Sequence, residues 1–173
     1  ALDYVVKSPE TLADMPHIAE RSIREWEHMT KRKRAEEKVR LDHKVFESTS
    51  EAIIITDSKA NILDVNQAFS AITGYNKDEV MGKNLRIIVS KAHESDLKKT
   101  WREVLKNGKW QGEIWERRKD GESYPIWLTL NMIKNDKGDI TNFLAIFSDI
   151  TTIKQTQERL QYLANYDSLT NLP

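Results

Sequence analysis

Two runs near the end of the chain, "PIWLTLNMI" and "NFLAIFSD", carry apolar residues on both sides of an extended backbone. Side chains along a strand alternate between its two faces. Ile126, Leu128, Leu130 and Met132 therefore share one face while Trp127 and Ile133 take the other, and Phe143, Ala145 and Phe147 oppose Leu144 and Ile146 in the same way. An antiparallel sheet commonly turns one face to water. A sheet that is apolar on both faces needs cover on both, because contiguous apolar surface is costly in water. Small helices can cover one face. The other is expected to meet an amphipathic flanking helix, the chain's own or a partner's.

The remaining elements follow from turn and cap chemistry. "AIIITD" and "NILDVN" read as two short strands joined through Ser58 to Asn61, with Asn61 suited to a left-handed turn position. "NQAFSAITG" is a short helix with Asn66 as its cap, Phe69 and Ile72 on one face and Gly74 as its stop. Asn76 followed three residues later by Glu79 fits a reciprocal cap. The longer helix in "KAHESDLKKTWREVLKNG" places Leu97, Trp101, Val104 and Leu105 on one face and ends at Gly108. Three strands follow, turning at Asp120-Gly121 and Lys137-Gly138. Strands at both ends with helices between them define an α+β fold, an antiparallel sheet with its helices gathered on one face.

Both ends of the chain are different in character. "LDYVVK" is a short β-type run, and a long charged helix follows, started by Ser8 and Pro9 and restarted or bent at Pro16. Its apolar stripe is thin: Ile18, Ile23, Trp26 and Met29, resuming at Val39 and Val45. Such a helix is stable only against a partner. The exit stretch "ITTIKQTQERLQYLANYDSL" is also helical, with Asp149 or Thr152 as caps and Ile153, Leu160 and Leu163 near heptad spacing.

Several functions are excluded or disfavoured. The 27 basic and 27 acidic residues balance, so no net field draws nucleic acid or an anionic membrane. Lys31 to Arg34 form a solvated face, because Glu36 and Glu37 follow at once. The absence of cysteine excludes disulfides, thiolate chemistry and cysteinyl-flavin photochemistry. No apolar run is long enough to span a membrane, and residues Ala1 to Pro9 lack a secretory pattern, so a cytoplasmic location is expected. Glu113 and Glu116 fall on opposite faces of one strand and read as ion-pair partners rather than an acid–base couple. No phosphate loop or catalytic Ser/His/Asp set is present, and the chain is not expected to be an enzyme.

In chain order, "IIITD", "ILDVNQAFSAITGY", "VMGKNL", "GKWQGEIWERRKDGESYPIWLTL" and "NFLAIFSDIT" resemble a PAS domain over roughly residues 44 to 154. The resemblance implies a five-stranded antiparallel sheet with short helices across one face and long flanking N- and C-terminal helices. It also implies sensing of a small ligand, or signal relay through the flanking helices. "ALDYVVKS" and its helix are similar to the end of a response-regulator receiver domain, with Lys7 where a lysine contacts the phosphoryl group and Ser8 where proline is usual. "LANYDSLTNLP" resembles the start of a GGDEF diguanylate cyclase domain, with Asn171 where glycine is more common. The implied order is a receiver remnant and linker helix over 1–43, a PAS sensory domain over 44–150, and a signalling helix with the start of the cyclase domain over 151–173. The full-length protein is then expected to be a diguanylate cyclase, homodimeric through the flanking helices, whose catalytic signature lies downstream of Pro173.

The candidate pocket is bounded by Ile53, Ile55, Asn66, Phe69, Ile72, Leu97, Trp101, Leu128 and Phe143, a set that describes a core first and a ligand site second. The residues name no cofactor. A noncovalent flavin stacked on Trp101, Trp110, Trp115 or Trp127 is one alternative they leave open, and a heme held by His93 is another, since some heme-binding PAS domains carry their histidine on that helix. His17, His28 and His43 suggest no metal site. Asp149, Ile150 and Thr151 form the expected signalling hinge, with Asp149 capping the exit helix while the last strand ties it to the sheet.

Overall fold

The computed structural model describes residues 9–88 and 94–165, with side chains described for 23–88 and 98–163. The strand expected at "LDYVVK", the His93 imidazole, the Leu97 side chain and the last eight residues lie outside that set. The chain divides into two units between Val45 and Phe46. The first is formed by helix α1, Pro9–Ser48, which runs through Pro16 as one element and whose last turn enters the second unit. Arg32 and Glu36 pair one turn apart at 2.7 Å on its surface. Its thin stripe is open to water: Ile23, Trp26, Met29, Val39 and Val45 are each more than half exposed.

The second unit is a five-stranded antiparallel sheet in the order β2-β1-β5-β4-β3. Its strands are β1 (Ala52–Asp57), β2 (Ile62–Val65), β3 (Lys109–Arg117), β4 (Ser123–Lys134) and β5 (Ile140–Asp149). Between β2 and β3 lie α2 (Gln67–Thr73), α3 (Lys77–Val80), a 3₁₀ turn (Leu85–Ile87) and α4 (Glu94–Asn107), and α5 (Thr151–Asn165) follows β5. The central pairing sets Ile54 opposite Ala145 and Leu128 opposite Phe147. Ala52, Ile54, Ile126, Leu128, Leu130, Phe143, Ala145 and Phe147 all become buried on the inner face. The helical pieces add Phe69, Val80, Leu85 and Val104 above them. Each large side chain so buried contributes about 1.5–3 kcal/mol relative to exposure.

Local chemistry ends the helices as expected. Asn66 caps α2 by accepting the Phe69 N–H at 3.0 Å, and Gly74 closes it in a left-handed conformation at φ +77°. The Asn76 N–H donates to Glu79 Oε2 at 2.9 Å at the start of α3. Replacing Gly74 with alanine should cost roughly 1 kcal/mol, because the left-handed backbone penalises a Cβ while its nearest neighbour, Lys119 Cβ, sits at an ordinary 3.5 Å. Urea unfolding measures this, and a variant as stable as the parent would remove the explanation.

Three placements differ from the sequence reading. The left-handed residue of the β1–β2 turn is Ala60, at φ +63°. Asn61 serves the turn through its side chain instead, donating to Asp57 Oδ2 at 2.8 Å. On α4, Val104 is buried but Leu105 is 54% exposed, since residues one apart on a helix point about 100° apart. The outer face of the sheet is also only half covered. Trp115, Trp127 and Ile133 are 42%, 47% and 42% exposed, and of α5 the described contact there is its first turn, where Lys154 pairs with Glu113 and lies 5.7 Å from the Trp115 ring centre. Ile153, Leu160 and Leu163 of α5 stay more than half exposed.

Candidate functional site

Strand parity and the helices above it define a small interior cavity. Its walls come from β1 (Ile54), β3 (Ile114, Glu116), β4 (Tyr124, Ile126, Leu128, Leu130), β5 (Ala145, Phe147), α2 (Thr73) and α4 (Thr100, Trp101). Bounded by the described residues, the cavity has a volume of about 40 Å³. That suits two or three water molecules. Sites for cofactor-sized ligands run to about 300–1,000 Å³. The space as it stands therefore fits neither a flavin ring nor a heme. Its polar lining residues are few: Thr73, Thr100, Glu116, Arg117 and Tyr124 stand among apolar neighbours. Burial pushes the Tyr124 phenol up against the opposing pull of the Arg118 guanidinium, so it is a neutral hydroxyl. Among the described residues no group of acidic or histidine side chains is placed to hold a metal ion.

The candidate pocket residues are distributed unevenly about this cavity. Trp101 and Leu128 line it. Phe69 lies in the core beside it, edge-on to Phe147 at 6.5 Å between ring centres, and Ile72 packs on the same core. Phe143 stands edge-on to Trp101 at 4.7 Å between ring centres and is a core residue outside the cavity lining. Ile53 and Ile55 are on the outer face, opposite Ile146 and Leu144, because the register of β1 against β5 turns Ala52, Ile54 and Thr56 inward. Asn66 is 1% exposed but all its polar atoms are engaged in tying the chain together. The flavin platforms also scatter: Trp115 and Trp127 stand on the outer face, whereas Trp110 packs on the core.

A second arrangement surrounds the start of α5. Asp149 Oδ1 accepts the Thr151 N–H at 2.8 Å, capping the helix, and the Ile150 N–H donates to Pro125 O at 3.1 Å, holding the junction to β4. Arg118, in the β3–β4 hairpin, gathers the surroundings. Its guanidinium pairs with Asp149 Oδ2, donates to the Ile72 carbonyl, bonds Glu122 at 2.9 Å and lies 3.8 Å above the Tyr124 ring. One side chain therefore connects the end of α2, a wall of the cavity and the cap of α5. The sequence reading missed it, since nothing in "ERRKDG" shows partners 31 and 46 residues away.

Partial burial works to raise the Asp149 carboxyl, but hydrogen bonds from Thr151 and from Arg118 outweigh it and hold the group below the usual carboxylate range. A depressed carboxyl contributes stability that is present above its unfolded value, near 4, and is lost as pH falls through its folded value. Acid titration should therefore release the first turn of α5 below about pH 4. Amide exchange at Thr151 to Lys154 reads this out. Exchange there that is indifferent to acid until global unfolding would contradict it.

Residues 50–152 match the PAS domain family, which is more than half of the chain. Among curated proteins, the chain is 29% identical over 118 residues to a nitrogen fixation regulatory protein of Klebsiella oxytoca, covering 68% of this chain and 24% of that protein. It is 29% identical over 133 residues to the cyclic di-GMP phosphodiesterase PdeR of Escherichia coli, covering 75% of this chain and 20% of that one. The chain thus spans about a quarter or less of the length of these relatives. Among solved structures, the PAS domain of a protein from Colwellia psychrerythraea superposes with a TM-score of 0.62 at 26% identity, covering 66% of this chain and 98% of that domain. By its sheet, its helices and this match, the chain belongs to the PAS domain family.

Proposed function

We propose that this PAS domain is the relay of a multidomain signalling protein, passing a change at its core or at its N-terminal helix to an output domain through α5. The observation that carries the reading is the Arg118–Asp149–Thr151 connection, a chain of charged and capping hydrogen bonds from the cavity wall to the exit helix. A cavity of about 40 Å³ favours relay by packing over use of a large cofactor. The bordering stretches support a receiver domain upstream and a diguanylate cyclase downstream, and likeness to a cyclic di-GMP phosphodiesterase over 75% of the chain supports the same signalling chemistry. Half-exposed apolar residues on the outer sheet face and along α5 support homodimerisation through the flanking helices. Among the described residues no helix is long and apolar enough to cross a membrane, in keeping with a cytoplasmic setting.

In the full-length protein, Asp149→Ala should leave cyclic di-GMP synthesis measurable but insensitive to the input, since the α5 cap and the Arg118 pair are lost together. Regulation that survives this substitution would remove the hinge. A visible absorbance band in the purified protein would instead favour a heme or flavin sensor.

A further inference from the structure

The end groups of α2 are held by the two stretches of chain that lead into and out of the sheet. A helix leaves its first N–H groups and its last carbonyls without partners of its own. At the N-terminal end, the Gln67 N–H donates to Glu47 Oε2 at 2.8 Å, and Glu47 lies in the last turn of α1, within the second unit. The Asn66 side chain that caps α2 also donates to Phe46 O, in that same turn, at 3.1 Å. At the C-terminal end, the Ile72 carbonyl accepts from Arg118, and the Thr73 carbonyl accepts from the Lys119 N–H at 2.9 Å. The two hairpin residues are fixed in turn. Arg118 pairs with Asp149, the cap of α5, and Lys119 Nζ pairs with Glu79 at 2.7 Å.

Seven residues make α2 about 10 Å long. The Gly74 N–H closes it on Ser70 O at 3.0 Å. A displacement at Gln67 therefore reaches the Ile72 carbonyl through helical backbone alone, without crossing the cavity. A second connection runs beside it, since Ser148 Oγ donates to Glu51 Oε1 at 2.9 Å. That bond is exposed, and water competes for it.

We propose that α2 is a strut that couples the last turn of α1 to the cap of α5, so that movement of α1 reaches the exit helix with no ligand in the core. The strut rests on the relay reading and assigns the input of that relay to Glu47 and the first turn of α2. Such coupling is reciprocal: a change at Arg118 must also be felt at Gln67.

Amide exchange of the 173-residue chain tests it. Glu47→Ala removes the acceptor of the Gln67 N–H and should speed exchange at Thr151 to Lys154 roughly three- to tenfold, with the β4–β5 turn at Asn135 to Asp139 unchanged. Glu47→Gln keeps an acceptor oxygen and should behave as the parent. In an Arg118→Met background, Glu47→Ala should have no further effect at α5, whereas in a Ser148→Ala background its full effect should remain. Arg118→Met should in turn speed exchange at Gln67. An α5 indifferent to Glu47→Ala, an effect undiminished by Arg118→Met or abolished by Ser148→Ala, or a Gln67 amide indifferent to Arg118→Met would each overturn the strut. Asp149→Ala should loosen α5 whether or not α2 transmits anything, so a response to Asp149→Ala without one to Glu47→Ala would overturn the strut and leave the relay standing.

Discussion

Asn66→Ala is expected to lower the unfolding free energy by roughly 3 kcal/mol or more, a large fraction of the stability of a small domain. The side chain is 1% exposed and bonded on every side. Oδ1 accepts the Ile53 N–H at 2.9 Å and the Phe69 N–H at 3.0 Å. Nδ2 donates among Phe46 O, Thr49 Oγ1 and Glu51 O at 3.1, 3.0 and 2.9 Å. Alanine would strand these groups away from water and remove the cap of α2 together. Asn66→Asp separates the two halves of the site. It keeps the acceptor for Ile53 and Phe69 but turns the donor into a second oxygen facing three oxygens. Repulsion and burial would raise that carboxyl in the folded state, so the variant should regain stability as pH falls and the carboxyl takes up a proton. Urea unfolding across pH checks both variants. A loss below 1 kcal/mol for Asn66→Ala would show that the network is not essential to stability.

Arg118→Met should cost roughly 2–3 kcal/mol, second only to Asn66 among the polar positions. Methionine keeps the stem of the side chain and loses the guanidinium. Asp149 would lose its counter-charge, the Ile72 carbonyl its donor and the Tyr124 ring its cation. The Arg118 and Asp149 side chains are 19% and 26% exposed, so solvent screens this pair less than an open surface bridge. A double-mutant cycle with Asp149→Asn, which retains an acceptor for the Thr151 N–H, should return a coupling of about 1 kcal/mol or more. Additivity within about 0.5 kcal/mol would show that the two groups act independently. Faster amide exchange at the first turn of α5 in Arg118→Met is the local signature of the same loss.

The legibility of each residue depended on whether its environment is local. Asn66 and Gly74 could be read as a cap and a stop because cap chemistry is settled within one helical turn. In β4 and β5 the alternation itself assigns the faces, and Leu128 and Phe147 fall inward as expected. The run "AIIITD" has no such alternation, so nothing in it distinguishes Ile54 from Ile53 and Ile55. Pairing with Ala145 across β5 makes that choice. Arg118 was legible as a charge, but not as the residue that joins α2 to α5. Likewise, Glu116 was assigned a face but not a place on the cavity wall.

The order of strands and helices, most of their caps and stops, and the apolar character of both faces of the sheet are determined by the amino-acid sequence, because period, backbone freedom and capping bonds are short-range properties. Tertiary structure alone decided which isoleucines of β1 enter the core, how little room is left beneath α4, and that Arg118 joins the end of α2 to the cap of α5. The physical reason is that register and residual volume depend on all the packed side chains at once. A change of one residue in register reverses a strand, and a few displaced methyl groups open or close a cavity.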